Sequence, residues 1–221
     1  MASYFYAQPF GALSLAQRRA QRHASESATV MGASPWQTPQ QLWRVKTGRS
    51  AAPQPPPGLS SCAELASAAR EAYHARTGFH MHPLQVVEGE YAASIDGVVL
   101  DGQLIVEIKC PLAGRDSPLW QDAVLGRIPP HYQWQLQHQL MVSGARLAHF
   151  YVFDGRDGLL IEQAPDPGRQ ASLRWRWDTF MHYVHTDRPP PEIDVAVRPE
   201  GSKPAPVADK RSAPPAPRPG P

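Results

Sequence analysis

Cysteine is scarce in this sequence: Cys62 and Cys110 are the two present in 221 residues. Two thiols cannot build the disulfide framework of a secreted domain, and no CxxC pair offers a structural zinc or a cluster site. Long apolar runs are missing too. None approaches the roughly 20 residues that a membrane helix needs, and the first residues lack the apolar core of a secretory signal. These absences point to a soluble intracellular protein in a reducing compartment. The first 25 residues carry arginine and serine but no acid, which also fits an organellar transit peptide. Nothing repeats at a fixed period, which argues against a solenoid. A strong net charge is lacking as well: the chain carries +2 overall, with 42% apolar and 19% charged residues. That composition and length suit one sizeable core.

The charge that exists is unevenly placed. Residues 1–50 hold Arg18, Arg19, Arg22, Arg44, Lys46 and Arg49 against Glu26 alone, a basic front end that could face a polyanion or simply be a solvated surface. Proline is concentrated at two places. AAPQPPPG at 51–58 reads as an exposed loop or polyproline II insertion, spanning about 50–58, and residues 188–221 read as a disordered Pro/Ala-rich tail, because aromatics vanish there. The expected division is an extension over 1–17, a domain over 18–187 and the tail.

Between these segments the pattern is readable. Thr38 and Pro39 supply cap and first-turn signals for a short helix closing on Gly48. Ser61 and Glu64 form a capping-box pattern for a second helix that ends at Gly78. Strand-like runs follow at PLQVVEG, YAASIDGVVL and QLIVEIK. A helix from Pro130 through HYQWQLQHQLMVSG, a strand AHFYVFDG and an amphipathic helix SLRWRWDTFMHYVH complete the order. The expected fold is a mixed α/β (α+β) sandwich around a small sheet. In the last helix Trp175, Trp177, Phe180 and Tyr183 alternate with Arg174 and Arg176 and could stack on bases, but they read first as a core-facing stripe. His80-Met-His82 is a bare HxH, read as a strand edge rather than a zinc pair.

The chemistry concentrates in SIDGVVLDGQLIVEIKCP, residues 94–111. Asp101-Gly102 between β-branched runs is a hairpin signal, pairing 99 with 104, 98 with 105 and hence Asp96 with Glu107. Strict alternation then puts Asp96, Glu107 and Lys109 on one face. Ile95, Val99, Leu104, Val106 and Ile108 fall on the other. Two carboxylates with β-carbons roughly 5 Å apart repel by on the order of 3 kcal/mol at an effective dielectric of about 20, unless a cation intervenes. An all-oxygen pair favours Mg²⁺ or Mn²⁺ over zinc, and Lys109 beside it could hold a water or steady a phosphate charge. The competing reading is a plain Lys109–Glu107 ion pair on a solvated face, with Asp96 starting a turn.

These residues resemble a known family, the lambda-exonuclease-like, YqaJ-type viral recombinase branch of the PD-(D/E)XK nucleases. SIDG…EIKCP is similar to its metal motif. The likeness continues through GRDSPLW, Tyr132-x-x-Gln135-x-Gln137 and FYVFDG, and backwards through ASPWQTPQQLW…KTG and AREAYHARTG, over roughly residues 18–190. The resemblance implies a restriction-endonuclease-like core and a Mg-dependent exonuclease resecting linear double-stranded DNA ends from 5′ to 3′. It implies Asp96, Glu107 and the Ile108 backbone carbonyl as metal ligands, with Lys109, Gln135 and Tyr132 as further catalytic residues. Arg18 and Ser25 would grip the 5′-phosphate, unless Ser25 merely caps a helix. A ring-shaped homotrimer and a single-strand annealing partner are further implications. One departure stands out. Where the family carries a helical glutamate seven residues before an aromatic, counting back from Tyr73 reaches Ala66, leaving Glu88 or Glu90 to supply a third acid. A weakened or inactive DNA-end-binding scaffold is therefore the alternative function, and an endonuclease cutting closed circles a third.

Overall fold

The computed structural model describes residues 3–5, 15–51, 59–99 and 101–192, with side chains over 18–51, 65–99 and 101–192. The proline-rich segment through 58 and the tail beyond Glu192 lie outside the described residues, as does most of the extension. In chain order the elements are β1 (Ser3–Phe5), α1 (Leu15–Ala20), β2 (Arg22–His23), α2 (Ser27–Val30), α3 (Pro39–Lys46), α4 (Leu59–Thr77), β3 (His82–Glu88), β4 (Tyr91–Val98) and β5 (Leu104–Lys109). Then come α5 (Pro118–Val124), α6 (Pro130–Ser143), β6 (Leu147–Phe153), β7 (Gly158–Gln163) and α7 (Pro167–His185).

The strands form one mixed sheet in the order β1-β3-β4-β5-β6-β7, with β2 pairing β4 in parallel. β5 and β6 also run parallel, because α5 and α6 cross between them, as a parallel connection requires. Each sheet face has its own apolar layer. On one, Ile95 and Ile105 pack with Leu136 and Leu140 of α6 and Leu173, Trp177 and Phe180 of α7. On the other, Val106 and Ile108 pack with Ala69 and Tyr73 of α4 and with Tyr151 and Phe153 of β6.

Local chemistry explains the helix ends that matter. Thr38 and Gln41 make a reciprocal capping box for α3. Pro130 opens α6, and Gly144, at φ 71°, closes it in the left-handed region. α4 differs from its expected start: it begins at Leu59, so Ser61 lies inside the first turn instead of capping it. Trp177 and Phe180 are buried in α7 as the apolar stripe predicts, but the stripe needs correction at Trp175, which is exposed because two residues along a helix turn the side chain by about 200° from Trp177. β1, α1, β2, α5 and the edge strand β7 go beyond the expected order.

The hairpin register holds, but its turn is one residue earlier. Gly97 pairs with Val106 and Val98 with Ile105. The Gly102 N–H reaches back to the Val99 carbonyl at 2.7 Å, with Gly102 at φ 71° and Asp101 accepting the Gln103 N–H at 3.0 Å. The face assignment needs correction. Leu84 pairs with Ile95 but His82 with Val98, so two steps on β3 oppose three on β4. That extra residue is a β-bulge around Asp96–Gly97, and a bulge breaks the two-residue period. Ile95 consequently joins Ile105 on the α6 side, while Val106 and Ile108 face α4. Gly97 is required where the bulge meets the Met81 side chain: an added β-carbon would lie 2.8 Å from Met81 Cβ and closer still to its sulfur. Gly97→Ala is expected to cost about 1–3 kcal/mol by overpacking, readable as a lower urea midpoint; an unchanged midpoint would refute this packing argument.

Candidate active site

The bulge re-aims Asp96. Beyond the Gly97–Val106 pair the two strands stop exchanging ladder bonds, and the Asp96 carboxylate takes the Ile108 N–H at 2.8 Å instead. Asp96 and Glu107 thus approach across a splayed hairpin end, not as directly opposed ladder partners.

Glu107 is only 4% exposed, and burial of a carboxylate demands donors. Three are present. Lys109 Nζ and Gln135 Nε2 donate to Oε1, the latter at 2.6 Å, and Gln139 Nε2 donates to Oε2 at 2.6 Å while also reaching the Ser94 carbonyl at 3.1 Å. The two glutamines are four apart on α6 and share one face. Gln139 is fully buried and was not singled out from sequence, although its i+4 relation to Gln135 was the signal. Gln137 faces elsewhere: it donates to the Ala164 carbonyl and accepts the Asp166 N–H, tying α6 to the start of α7. The Tyr132 ring lies 4.9 Å from Lys109 Nζ and packs on Phe150. Gln139→Leu is expected to cost about 1–3 kcal/mol by leaving Glu107 and Ser94 short of a donor. Thermal denaturation checks this, and an unchanged midpoint would show Glu107 needs no third donor.

Electrostatics follow from this crowding. Burial first, and then the neighbouring Glu107 charge, push the Asp96 carboxyl up to about 7. Burial opposes the Lys109 charge, but Glu107, Tyr132 and Asp96 together hold it above the usual lysine range. Burial and Lys109 press His131 down to about 4, so it is neutral at pH 7. Arg70, four residues after Ala66 on α4, acts on Asp96 in the opposite sense to Glu107. Where a third acid would add negative charge, α4 brings a guanidinium instead. Glu88 and Glu90 do not fill that place: they sit at the far end of the β3–β4 hairpin, paired with Arg174 at 3.4 Å and Arg22 at 2.8 Å.

The donor set suits a hard divalent cation. A carboxylate offers about four lone-pair sites. Three on Glu107 are used, and Asp96 commits one oxygen to Ile108. Residual oxygen capacity on both acids matches Mg²⁺ or Mn²⁺, which keep several waters and need few protein ligands. Among the described residues no group of three His, Cys, Asp or Glu side chains could hold a metal. His80 of the HxH pair stacks on His74 at 3.7 Å.

Half of the basic front end is paired with acids. Arg22 bridges Glu90, Asp178 and the Tyr91 hydroxyl, and Arg49 pairs with Asp187. Lys46 is buried against Glu26 at 2.6 Å and donates to the Arg18 and Gln21 carbonyls. Arg18 itself is exposed, and its charge helps burial lower His23 to about 4. Ser25 lies in a short 3-10 turn, its hydroxyl 2.9 Å from His23 Nδ1. Ser25 does not cap α2, whose N-cap position is Glu26, and the turn itself is capped by His23. β2 pairs His23 with Ala92, so this turn runs beside β4 on its way to Asp96.

The sequence pattern of the YqaJ-like viral recombinase domain matches residues 15–146, which takes in the front turn, the splayed hairpin and α6. The chain belongs to that family. Solved structures agree on the fold of this YqaJ-like chain. An alkaline exonuclease, LHK-Exo from Laribacter hongkongensis, superposes with a TM-score of 0.67 at 21% identity, covering 78% of this chain and 92% of that one. The same protein in complex with dAMP gives 0.63. A phage-related exonuclease from Haemophilus somnus 129PT gives 0.56 at 12% identity, over 75% and 94% of the two chains. No curated protein matches the chain. The YqaJ-like core is thus a PD-(D/E)XK-type fold, with its mixed sheet between α4 and the α6/α7 layer. No helix among the described residues is long and apolar enough to cross a membrane.

Proposed function

We propose that this protein is a Mg²⁺- or Mn²⁺-dependent deoxyribonuclease that removes nucleotides from linear duplex DNA ends, in the 5′→3′ direction, for recombination. The observation that carries this reading is the convergence of Asp96, Glu107 and Lys109 at one splayed hairpin end, with Gln135, Gln139 and Tyr132 facing them from α6. A divalent cation held by Asp96, Glu107 and the Ile108 carbonyl would supply Lewis-acid activation of a phosphodiester. Lys109 provides a fixed ammonium for the attacking water or the developing phosphate charge. Gln135 and Gln139 keep Glu107 from rotating. Tyr132 restricts Lys109 to one side. Arg18 and Ser25, together beside His23, are suited to a terminal 5′-phosphate, and this end grip would set the polarity. Family membership and the exonuclease neighbours support the same reading. A ring-shaped homotrimer and an annealing partner for the freed strand belong to this proposal.

A 5′-phosphorylated linear duplex should lose nucleotides in Mg²⁺ but not in EDTA, while a closed circle stays intact. Cutting of the circle would mark an endonuclease. The second reading, a DNA-end-binding scaffold without turnover, is favoured by one feature: Ala66 and Arg70 stand where a third acid is expected, and Glu88 and Glu90 are engaged elsewhere. Binding of duplex ends with no release in any metal would establish it.

A further inference from the structure

Trp36 is the most exposed large apolar side chain among the described residues, at 67%. Leaving an indole in water forgoes about 1.5–3 kcal/mol of burial, yet the loop that carries it is tightly held. The Ala33 N–H bonds the Ala28 carbonyl at 2.8 Å, closing α2. Ser34 Oγ then accepts the N–H groups of both Trp36 and Gln37, each at 3.3 Å. Thr29 Oγ1 donates to the Gln37 amide at 3.4 Å, and the Thr38 capping box starts α3 directly afterwards. The indole is therefore presented outward by a fixed loop.

Its surroundings say what it faces. The Trp36 ring meets His131 edge-on at 4.7 Å and Tyr132 at 6.4 Å. His131 lies 4.2 Å from Tyr132, whose ring is 4.9 Å from Lys109 Nζ. Three rings thus lead from the ammonium beside Glu107 to the solvent, and the outermost keeps open area. A polyanion whose phosphate is held at Lys109 carries flat bases on either side of that phosphate. Base–aromatic stacking contributes about 1–3 kcal/mol per base and tolerates any sequence, because every base has a π-face.

We infer that Trp36 is a base-stacking subsite at the mouth of the candidate active site, receiving a nucleobase of the strand whose phosphate lies at Lys109. This rests on the nuclease reading above and adds to it an aromatic stacking contact to a base, beside the phosphate contacts assigned to Lys109 and to Arg18 and Ser25. The subsite discriminates stacked bases from bare backbone and holds the strand in register without reading its sequence.

The test uses a short 5′-phosphorylated duplex labelled away from the digested end, in Ca²⁺, which takes the same oxygen ligands with looser geometry. A set of duplexes carries a single abasic site moved stepwise from that end. The unaltered protein should lose about 5- to 150-fold in affinity at one abasic position. Trp36→Ala should show the same loss on the intact duplex and no further loss at that position, and Trp36→Phe should retain most of the affinity. The inference is overturned if Trp36→Ala binds the intact duplex as well as the unaltered protein, or remains sensitive to the same abasic position. It is equally overturned if Trp36→Ala loses its oligomeric mass in sedimentation, which would make the indole a protein contact. Failure of the unaltered protein to bind any duplex end would sink the nuclease reading too, whereas binding indifferent to Trp36 sinks this subsite alone.

Discussion

Lys109→Ala is expected to lower the rate of nucleotide release by about 10²–10⁴-fold, the range a positioned proton-transfer or charge-stabilising group supplies. The fold should survive. Glu107 keeps its two amide donors, Gln135 and Gln139, and the Asp96 bond to Ile108 does not involve Lys109. Divalent-metal uptake should likewise persist, because the oxygen donors remain. The informative result is a split: kcat falls while metal affinity changes little. Single-turnover digestion of a phosphorylated duplex beside a metal titration reads both. If the variant turns over normally, the Lys109–Glu107 contact is only the ion pair of the simpler sequence reading.

Asp96→Asn should abolish metal-dependent release and yet stabilise the metal-free protein at pH 8. Asp96 is pushed up to about 7 by burial and by Glu107, against roughly 3.9 for an unfolded aspartate. The folded state therefore holds this proton more tightly than the unfolded state does. The associated stability is fully present below pH 4 and is lost as pH rises through about 7, amounting to up to roughly 4 kcal/mol. Asparagine keeps an oxygen to accept the Ile108 N–H but carries no charge, so the penalty at pH 8 disappears. In EDTA at pH 8 the variant should melt higher than the unaltered protein, and the gap should close toward pH 5. Adding Mn²⁺ should raise only the unaltered protein, since binding to the folded state alone stabilises it. A variant that melts lower at pH 8 in EDTA would mean that burial and the Glu107 charge do not hold Asp96 above its ordinary range.

These effects show how far side-chain periodicity reaches. The Asp-Gly signal at 101–102 was enough to set which residues of β4 and β5 are partners, because hairpin register follows from the turn. It could not reveal the extra residue around Asp96–Gly97. That bulge is defined by pairing with β3, a strand outside the β4–β5 hairpin, and it moves Ile95 to the other face. The glutamine series of α6 was legible in part. Gln133, Gln135, Gln137 and Gln139 alternate along the sequence, but a helix groups residues four apart, which splits the series into two faces: Gln135 and Gln139 meet Glu107, while Gln137, on the face of Gln133, pins Ala164 and Asp166. How much of the basic front end is paired was not legible for a different reason. The acids that neutralise Arg22 and Arg49, Asp178 and Asp187, lie on or just after α7, more than 130 residues away, as the separations of 156 and 138 show. β7 was missed because GLLIEQ, half-buried along most of its length at a sheet edge, shows no clean alternation.

Calorimetric titration of Mn²⁺ into the nucleic-acid-free protein at pH 7 addresses the carboxylate pair most directly. One saturable site should appear, absent or much weakened in Glu107→Gln. Its heat should vary with buffer ionisation enthalpy, because binding releases the proton that Asp96 partly retains at that pH. No uptake, or equal uptake by the unaltered protein and Glu107→Gln, would contradict a metal centre between Asp96 and Glu107.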